Sequence, residues 1–218
     1  LGSLTVNQLD GSSTTFLDGG RGIDQDSNGA IDSTEGSSAA PTKAIVASRD
    51  GLRQTAIDLV QLVREIQVGV DVDSDGAADL DDSRIYYAGQ SFGGIYGTIF
   101  LGVEPDVRVG VPNVPGGSVI EVARLGAFRP LLGLAFKFRL PSLINVGGAS
   151  GIEFNENMPL RNQIPVVNTV AGALAIQEVI EWAEWVSQGG NPVAYAPHLR
   201  KQPLAGVPAK TVLYQFAR

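Results

Sequence analysis

The sequence predicts an α/β fold built on a mainly parallel sheet. Segments with the spacing of one helical face alternate with short segments rich in β-branched and aromatic residues. With 44% apolar and 18% charged residues among 218, the composition is typical of a chain with a full core and excludes general disorder. The 27 glycines and 12 prolines indicate many turns between the elements.

The first elements follow one another in that alternating order. Residues 1–51 are rich in turn formers. A helix is predicted over Leu52–Gln67, where apolar side chains recur on one face, with Asp50 as its N-cap. A buried strand is predicted over Arg84–Ala88 because its residues are mostly β-branched or aromatic. An apolar helix starts at about Gly94.

The second half of the chain predicts two more strands and a helical excursion. A second strand covers Val107–Val111 and ends at Pro112. Residues 118–165 are apolar with scattered cations and are broken by prolines, which favours a small helical insertion outside the sheet. A helix follows over Thr169–Gln188, stopped by a glycine pair. The last strand is predicted over Lys210–Phe216.

The negative charge is concentrated in two short stretches. The formal net charge is −7, and residues 24–35 and 71–82 together hold 10 of the 23 acids. The other 13 acids stand against 16 cations, which leaves +3 for the rest of the chain. The acidity therefore concerns two loops, and no basic stripe of the kind that binds nucleic acid is expected. Cysteine is absent, and no apolar run reaches the roughly 18 residues of a transmembrane helix.

Both stretches follow the spacing of a calcium-binding loop. Ca²⁺ takes about six to eight oxygen ligands, which such a loop supplies from alternate positions and a final carboxylate around a central glycine. The first stretch offers Asp24, Asp26, Asn28, the Ala30 carbonyl, Asp32 and Glu35. The second offers Asp71, Asp73, Asp75, the Ala77 carbonyl, Asp79 and Asp82, the last being shorter than the usual Glu.

The flanks of these loops predict a structural role for the metal. A calcium sensor needs a helix on each side of the loop, and neither stretch has that arrangement. The alternative is an acidic turn that binds no ion. If calcium is bound, millimolar external calcium favours a secreted, periplasmic or cell-surface location.

The motif Gly89-Gln90-Ser91-Phe92-Gly93 has the pattern of a nucleophile elbow. Its context supports that interpretation because a predicted strand precedes Ser91 and a predicted helix follows it. Ser91 is then the candidate nucleophile, and the backbone N–H of Phe92 is a candidate oxyanion donor. Gln90, directly before the nucleophile, is a candidate substrate-binding residue. The alternative is a glycine-rich turn that cradles a phosphate at the helix N-terminus.

Three segments carry a resemblance to a known family, and they are Leu52-Arg53-Gln54, the 71–82 loop directly before Ser83-Arg84-Ile85-Tyr86, and Gly89-Gln90-Ser91-Phe92-Gly93-Gly94. In these the chain resembles bacterial secreted or surface lipases and esterases of the α/β-hydrolase fold that have calcium-type acidic loops. The resemblance implies hydrolysis of a small-molecule or lipid carboxylic ester through an acyl-enzyme. It also implies a partial α/β-hydrolase-like fold with a helical cap.

The expected organisation follows from this resemblance. Residues 1–51 form a turn-rich segment with the first calcium-type loop, 52–117 and 166–218 form the hydrolase core, and 118–165 form the cap or lid. Several large apolar cap residues are candidates for acyl-chain contact or, equally, for the core of the cap: Phe128, Leu131, Leu132, Leu134, Phe136, Phe138 and Leu140. The cap cations Arg124, Arg129, Lys137 and Arg139 are expected to form a solvated face.

The catalytic acid and base are harder to place. In this fold the acid and then the histidine follow the nucleophile along the chain, and the acid is expected after Lys210–Phe216. The single histidine, His198, precedes that strand in a Pro-flanked loop and is expected to be a surface or structural residue. We therefore expect the chain to be the nucleophile-bearing part of a hydrolase, completed by a second polypeptide segment. The competing hypothesis is a non-catalytic calcium-binding surface or interaction module on the same scaffold.

Overall fold

A computed structural model describes residues 3–7, 10–17, 29, 44–146, 153–157, 164, 167 and 169–216 of the chain. Strands β1 (Ser3–Asn7) and β2 (Ser13–Leu17) form an antiparallel hairpin. Strands β3 (Tyr86–Gln90), β4 (Val109–Asn113) and β5 (Thr211–Val212) form a parallel sheet in that order. The prediction of a mixed α/β chain with parallel strands is therefore confirmed.

Six α-helices and a short 3-10 helix lie in the part of the chain that the structure describes. They are α1 (Ala44–Val68), α2 (Phe92–Val103), α3 (Val119–Leu125), α4 (Arg129–Phe138), α5 (Ala173–Ser187), the 3-10 helix Gln188–Gly190 and α6 (Pro192–Arg200). None of the helices in the described residues has the length and apolarity needed to cross a membrane.

Helix α1 begins well before its predicted start. Asp50 lies inside the helix, where its carboxylate pairs with Arg49 and Arg53, so the N-cap prediction is wrong. The additional turns pack against the end of α5. A Cβ at Gly190 would lie 2.5 Å from the Arg49 carbonyl oxygen, and Arg49 donates to the Val186 carbonyl at 3.4 Å. Tertiary contact of this kind extends a helix beyond its amphipathic pattern.

The last strand is shorter than predicted, and Pro112 is the reason. Pro112 lies inside β4 rather than ending it. On the side that faces β5, the carbonyls of Arg108, Gly110 and Pro112 accept from Thr211, Leu213 and Gln215. Pro112 has no N–H and therefore cannot donate a hydrogen bond to the β5 segment. Regular pairing stops at Val212, and an isolated bridge between Asn113 and Gln215 follows it.

Helix α6 is absent from the sequence prediction, which placed His198 in a loop. Its N-terminus carries two recognisable signals: Asn191 caps the helix by accepting from the Val193 N–H at 3.1 Å, and Pro192 occupies the first turn. Pro197 inside the helix obscured them, because an internal proline usually ends a helix.

The described residues form two apolar cores. The larger lies between the sheet and helices α1, α2 and α6, and its most buried members are Leu52, Ala56, Val63, Ile99, Phe100, Leu101, Val107 and Leu199. The smaller joins α4 and α5 through Phe136, Leu143, Phe154, Ile176 and Ile180. Helices α3 and α4 lie within residues 118–165, where helices are predicted, and the smaller core is shared with α5.

Strand β3 is not the buried strand that the sequence predicts. Exposed and half-buried residues alternate along it, and Tyr86 retains 66% of its accessible surface. The half-buried residues Tyr87 and Gly89 face α2, whereas Tyr86, Ala88 and Gln90 point to the opposite face of the sheet.

Candidate active site and acidic loop

Ser91 connects strand β3 directly to helix α2 in an unusual backbone conformation. Its φ is 51° and its ψ is −112°, a combination that L residues rarely adopt and that costs on the order of 1–3 kcal/mol. Hydrogen bonds on both sides hold it there. The Ser91 N–H donates to the Asn113 carbonyl at 2.9 Å, and the Ser91 carbonyl accepts from the Ile95 N–H at 3.0 Å.

The glycines around Ser91 have different reasons to be present. A Cβ at Gly89 would lie 2.5 Å from the Gly93 carbonyl oxygen, so the turn closes only with glycine there. A Cβ at Gly94 would lie 2.8 Å from the Pro115 Cα. At Gly93 a Cβ would lie 3.5 Å from the Tyr96 hydroxyl, an ordinary van der Waals distance, so a close neighbour does not require glycine there.

The Tyr87 side chain contacts the turn of residues 89–93 that carries Ser91, which we call the elbow. Its hydroxyl donates to the Gly93 carbonyl at 2.5 Å, and its ring lies against Gly97. Burial raises the pKa of the Tyr87 phenol, so the hydroxyl stays protonated and remains a donor. Tyr87 and Asn113 both position the elbow, and sequence reasoning identified neither.

The first turn of α2 presents free backbone donors beside Ser91. The opening N–H groups of a helix have no acceptor within it, and Phe92 is the first residue of α2. The Phe92 side chain is 59% exposed and packs edge-on against Tyr96, with ring centroids 5.6 Å apart. The Phe92 N–H is therefore available to an incoming oxyanion.

The Ser91 and Gln90 side chains are both exposed at the end of β3. Within the described residues, the Ser91 hydroxyl makes no hydrogen bond to a side chain or to the backbone. The hydroxyl therefore has no base beside it in this part of the chain.

His198 lies at the other end of α2 from Ser91. It is in the last turn of α6, and its Nδ1 is 2.7 Å from the Gln202 carbonyl oxygen. One turn earlier, Tyr195 meets Gly102 near the end of α2, since a Cβ at Gly102 would lie 3.3 Å from the Tyr195 Cβ. The 12 residues of α2 separate the two ends by about 18 Å. This position agrees with the expectation that His198 is a surface residue and not the base for Ser91.

The second acidic stretch folds into a loop between α1 and β3 that gathers three carboxylates. Asp71, Asp73 and Asp79 each place a carboxylate oxygen within 4.8 Å of the other two. Oxygens that share one Ca²⁺ lie at about 2.3–2.6 Å from it, hence up to roughly 5 Å apart, so this spacing fits a common ion. The loop geometry requires positive φ at Ser74 and Gly76.

Backbone N–H groups hold these carboxylates in place. Asp71 accepts from the N–H groups of Asp75 at 3.2 Å and Gly76 at 2.8 Å, and Asp79 accepts from Val72 at 2.6 Å. The Asp75 N–H also donates to Asp73, which acts to lower the pKa of Asp73. Desolvation and the charges of Asp75, Asp79 and Asp71 outweigh that bond and raise the pKa, as expected of crowded carboxylates.

The remaining predicted ligands of this loop are placed differently. The Asp75 carboxylate accepts from the Ala77 N–H at 2.8 Å and is not part of the group of three. Asp82 lines a polar pocket with Gln67, Asp106 and Arg108. The sequence therefore predicted three members of the cluster among six candidate ligands.

The first calcium-type stretch lies outside the described residues apart from Gly29. This concerns the candidate ligands Asp24, Asp26, Asn28, Ala30, Asp32 and Glu35. Gly29, the central glycine of the pattern, has a φ of +87°.

Comparison of the chain with protein-family models, with curated proteins and with solved structures finds no match.

Proposed function

We propose that this chain is the nucleophile-bearing part of a serine carboxylic ester hydrolase, an esterase or lipase with an α/β-hydrolase-like core. The single observation that supports the proposal best is the backbone of Ser91. A serine with positive φ between a parallel strand and an apolar helix is the geometry that lifts a nucleophile above a sheet. The surrounding structure holds Ser91 in a strained conformation, which is typical of functional sites.

In the proposed reaction a base removes the Ser91 proton as Oγ attacks the ester carbonyl carbon. The carbonyl electron pair moves to oxygen, and the resulting oxyanion accepts a hydrogen bond from the Phe92 N–H. Collapse of this intermediate expels the alcohol, which takes the proton back from the base. Water then attacks the acyl-enzyme with the base's help, releasing the acid and restoring Ser91. Gln90 stays a candidate for substrate contact beside the nucleophile.

The base and its acid come, in this proposal, from a second polypeptide segment. Because the Ser91 N–H faces β4, the backbone groups of Tyr86, Ala88 and Gln90 face the outer edge of β3. No strand among the described residues pairs with that edge. A parallel strand added there would end beside Ser91, where a histidine is needed, whereas His198 is at the far end of α2.

Calcium is proposed as a structural ion, bound by Asp71, Asp73 and Asp79. It would neutralise the crowded carboxylates and fix the connection between α1 and the strand that carries the nucleophile. A role of this kind favours a secreted, periplasmic or cell-surface protein, because calcium is millimolar outside the cell, and the resemblance to bacterial lipases and esterases implies a bacterial one.

A fluorophosphonate probe tests the proposed nucleophile. The protein is prepared with its natural flanking and partner segments, labelled, and compared with Ser91→Ala and with Ser142→Ala, another exposed serine. Labelling that Ser91→Ala abolishes and Ser142→Ala leaves intact is expected. Absence of labelling in the complete assembly would instead support a non-catalytic calcium-binding surface or interaction module.

The isolated 218-residue chain is expected to turn over p-nitrophenyl esters poorly, because Ser91 without a base is a weak nucleophile. Substantial turnover by this chain would contradict the proposal of a second segment while leaving the nucleophile assignment in place.

Thermal unfolding with and without EGTA tests the metal. A ligand that binds only the native state stabilises it by about 2–3 kcal/mol at a hundredfold excess over its Kd, so EGTA should lower the melting temperature. Asp71→Asn with Asp73→Asn should reduce that shift, and Asp81→Asn in the same loop should not. A melting temperature that EGTA leaves unchanged would exclude structural calcium.

A further inference from the structure

Helix α4 is apolar on two opposite faces but buries only one of them. Gly133 and Phe136 face the smaller core and are buried. Leu131, Leu134 and Phe138 point outward and retain 64%, 41% and 70% of their accessible surface. A helix that is apolar all round is normally covered on all sides, so the outer face of α4 is the exception.

The outward residues form a continuous stripe. Phe128 precedes Leu131 by three residues and is 57% exposed, and Leu140 follows the helix at 92%. Spacings of three and four residues place Leu131, Leu134 and Phe138 next to each other on one helix face, and Phe128 and Leu140 lie just beyond the two ends of the helix. Contiguous exposed apolar residues mark an interaction surface, whereas single ones do not. We call Phe128, Leu131, Leu134, Phe138 and Leu140 the α4 stripe.

The inner face of α4 is anchored, so the stripe stays outward. Glu156 is buried and accepts from Arg124 and Arg129, each at 3.0 Å. The Arg129 guanidinium also lies 4.0 Å from the centre of the Phe154 ring, which packs edge-on against Phe136. Arg129 is the first residue of α4, so turning the stripe inward would separate Glu156 from this cation, which is costly for a buried carboxylate.

The segment that carries the stripe has a net positive charge. Residues 118–146 contain four cations and one acid, Glu121, whereas the whole chain carries −7. Two of the cations, Arg124 and Arg129, pair with Glu156. Lys137 and Arg139 remain beside Phe138 and have no carboxylate partner among the described residues.

This combination favours one kind of partner. A second copy of the chain would bring Lys137 and Arg139 against their own equivalents in a two-fold contact, and like charges oppose such an interface. A bilayer that contains anionic lipid offers both an apolar layer for the stripe and negative headgroups for the cations.

We propose that the α4 stripe is a peripheral membrane-docking surface that inserts into the headgroup region of an anionic bilayer, with Lys137 and Arg139 on the lipid phosphates. The proposal does not depend on ester hydrolysis at Ser91.

Vesicle co-sedimentation tests the surface with the full chain. Phosphatidylcholine vesicles with and without about one third phosphatidylglycerol are compared for the native protein and for the triple variant Leu131→Ser, Leu134→Ser, Phe138→Ser. The native chain should sediment with the anionic vesicles, and the triple variant should bind them at least about tenfold more weakly. Lys137→Gln with Arg139→Gln should weaken binding about tenfold on anionic vesicles only.

A matched control removes exposed apolar side chains elsewhere. Ile57→Ser with Leu62→Ser on α1, where the native residues are 57% and 51% exposed, should bind as the native chain does. Circular dichroism confirms that each variant folds. Native protein that stays in the supernatant, or a triple variant that sediments equally well, would overturn the proposal. So would light scattering that shows a dimer lost in the triple variant, because the stripe would then cover a second copy.

Discussion

The polar groups at the two ends of helix α2 differ in whether they have hydrogen-bond partners. At the N-terminal end, Ser91 has a strained backbone and an exposed hydroxyl without a partner among the described residues. At the C-terminal end, Glu104 is fully buried and accepts from Arg64 and from the Asp106 N–H, while the Lys210 ammonium donates to the Glu104 carbonyl. One end has satisfied groups that stabilise the fold, and the other has an exposed hydroxyl that makes no hydrogen bond within the described residues.

The contacts at both ends of α2 explain how Ser91 keeps its strained conformation. The sheet and the rest of α2 hold both sides of Ser91, and the polar network at the far end fixes the helix against β5. Strain persists only where the surrounding structure determines the conformation. The following predictions test this division, from the largest expected effect to the smallest.

Removing the buried carboxylate should affect stability most. Glu104→Ala leaves Lys210, which is 1% exposed, without the negative charge that acts on it most strongly. We expect a loss of about 3–5 kcal/mol in the free energy of unfolding, measured by urea titration. Asp106→Asn is the control because Asp106 pairs with the same Arg64 but is 45% exposed, and it should cost about 1 kcal/mol or less. Equal losses in the two variants would contradict the contrast.

Adding a methyl group at the elbow should come next. Gly89→Ala forces a Cβ to within 2.5 Å of the Gly93 carbonyl oxygen and 2.6 Å of the Tyr87 hydroxyl, with an expected loss of about 1–3 kcal/mol. Gly93→Ala has room for its Cβ and should be neutral or slightly stabilising, since alanine favours a helix over glycine. Urea unfolding of both variants measures the difference. A Gly93→Ala variant as unstable as Gly89→Ala would show that the contact at Gly89 is not the cause.

Relieving the strain at Ser91 should stabilise the fold. Glycine adopts positive φ without penalty, so Ser91→Gly should gain about 1 kcal/mol after the entropy cost of glycine is included. Ser91→Ala keeps the strain and should leave stability nearly unchanged. If calorimetry finds Ser91→Gly no more stable than Ser91→Ala, the backbone of Ser91 is not strained in solution.

The smallest effect concerns pH at the satisfied end. Hydrogen bonds from Gln67 and then Arg64 hold the pKa of Asp106 below its usual range. A folded-state pKa below the unfolded one means that this group stabilises the protein above the ordinary carboxyl pKa of about 4 and loses the effect as the pH falls further. The difference in melting temperature between the native chain and Asp106→Asn should be constant near neutral pH and vanish below pH about 4. If the difference in melting temperature persists below that pH, it arises from the change in side-chain structure and not from the loss of the Asp106 charge.

Local patterns in the sequence predicted much of the fold and all three members of the acidic cluster, although only half of the six candidate ligands of that loop belong to it. The parallel strands around Ser91 and the helix after it were found because their hydrophobic periods are strong. The N-terminal turns of α1 were missed because they depend on contact with α5, and α6 was missed because Pro197 resembled a helix breaker. Asp75 and Asp82 fit the loop spacing but not the final group, since backbone N–H groups decide which carboxylates converge.

The sequence alone determined where a tight strand-to-helix turn at Ser91 and a three-carboxylate loop can form, because both depend on residues a few positions apart. Only the tertiary structure decided that His198 is remote from Ser91, that the outer edge of β3 is open, and that the α4 stripe faces outward. Those facts depend on which helices and strands pack together across long stretches of chain, and short-range spacing carries no information about that packing.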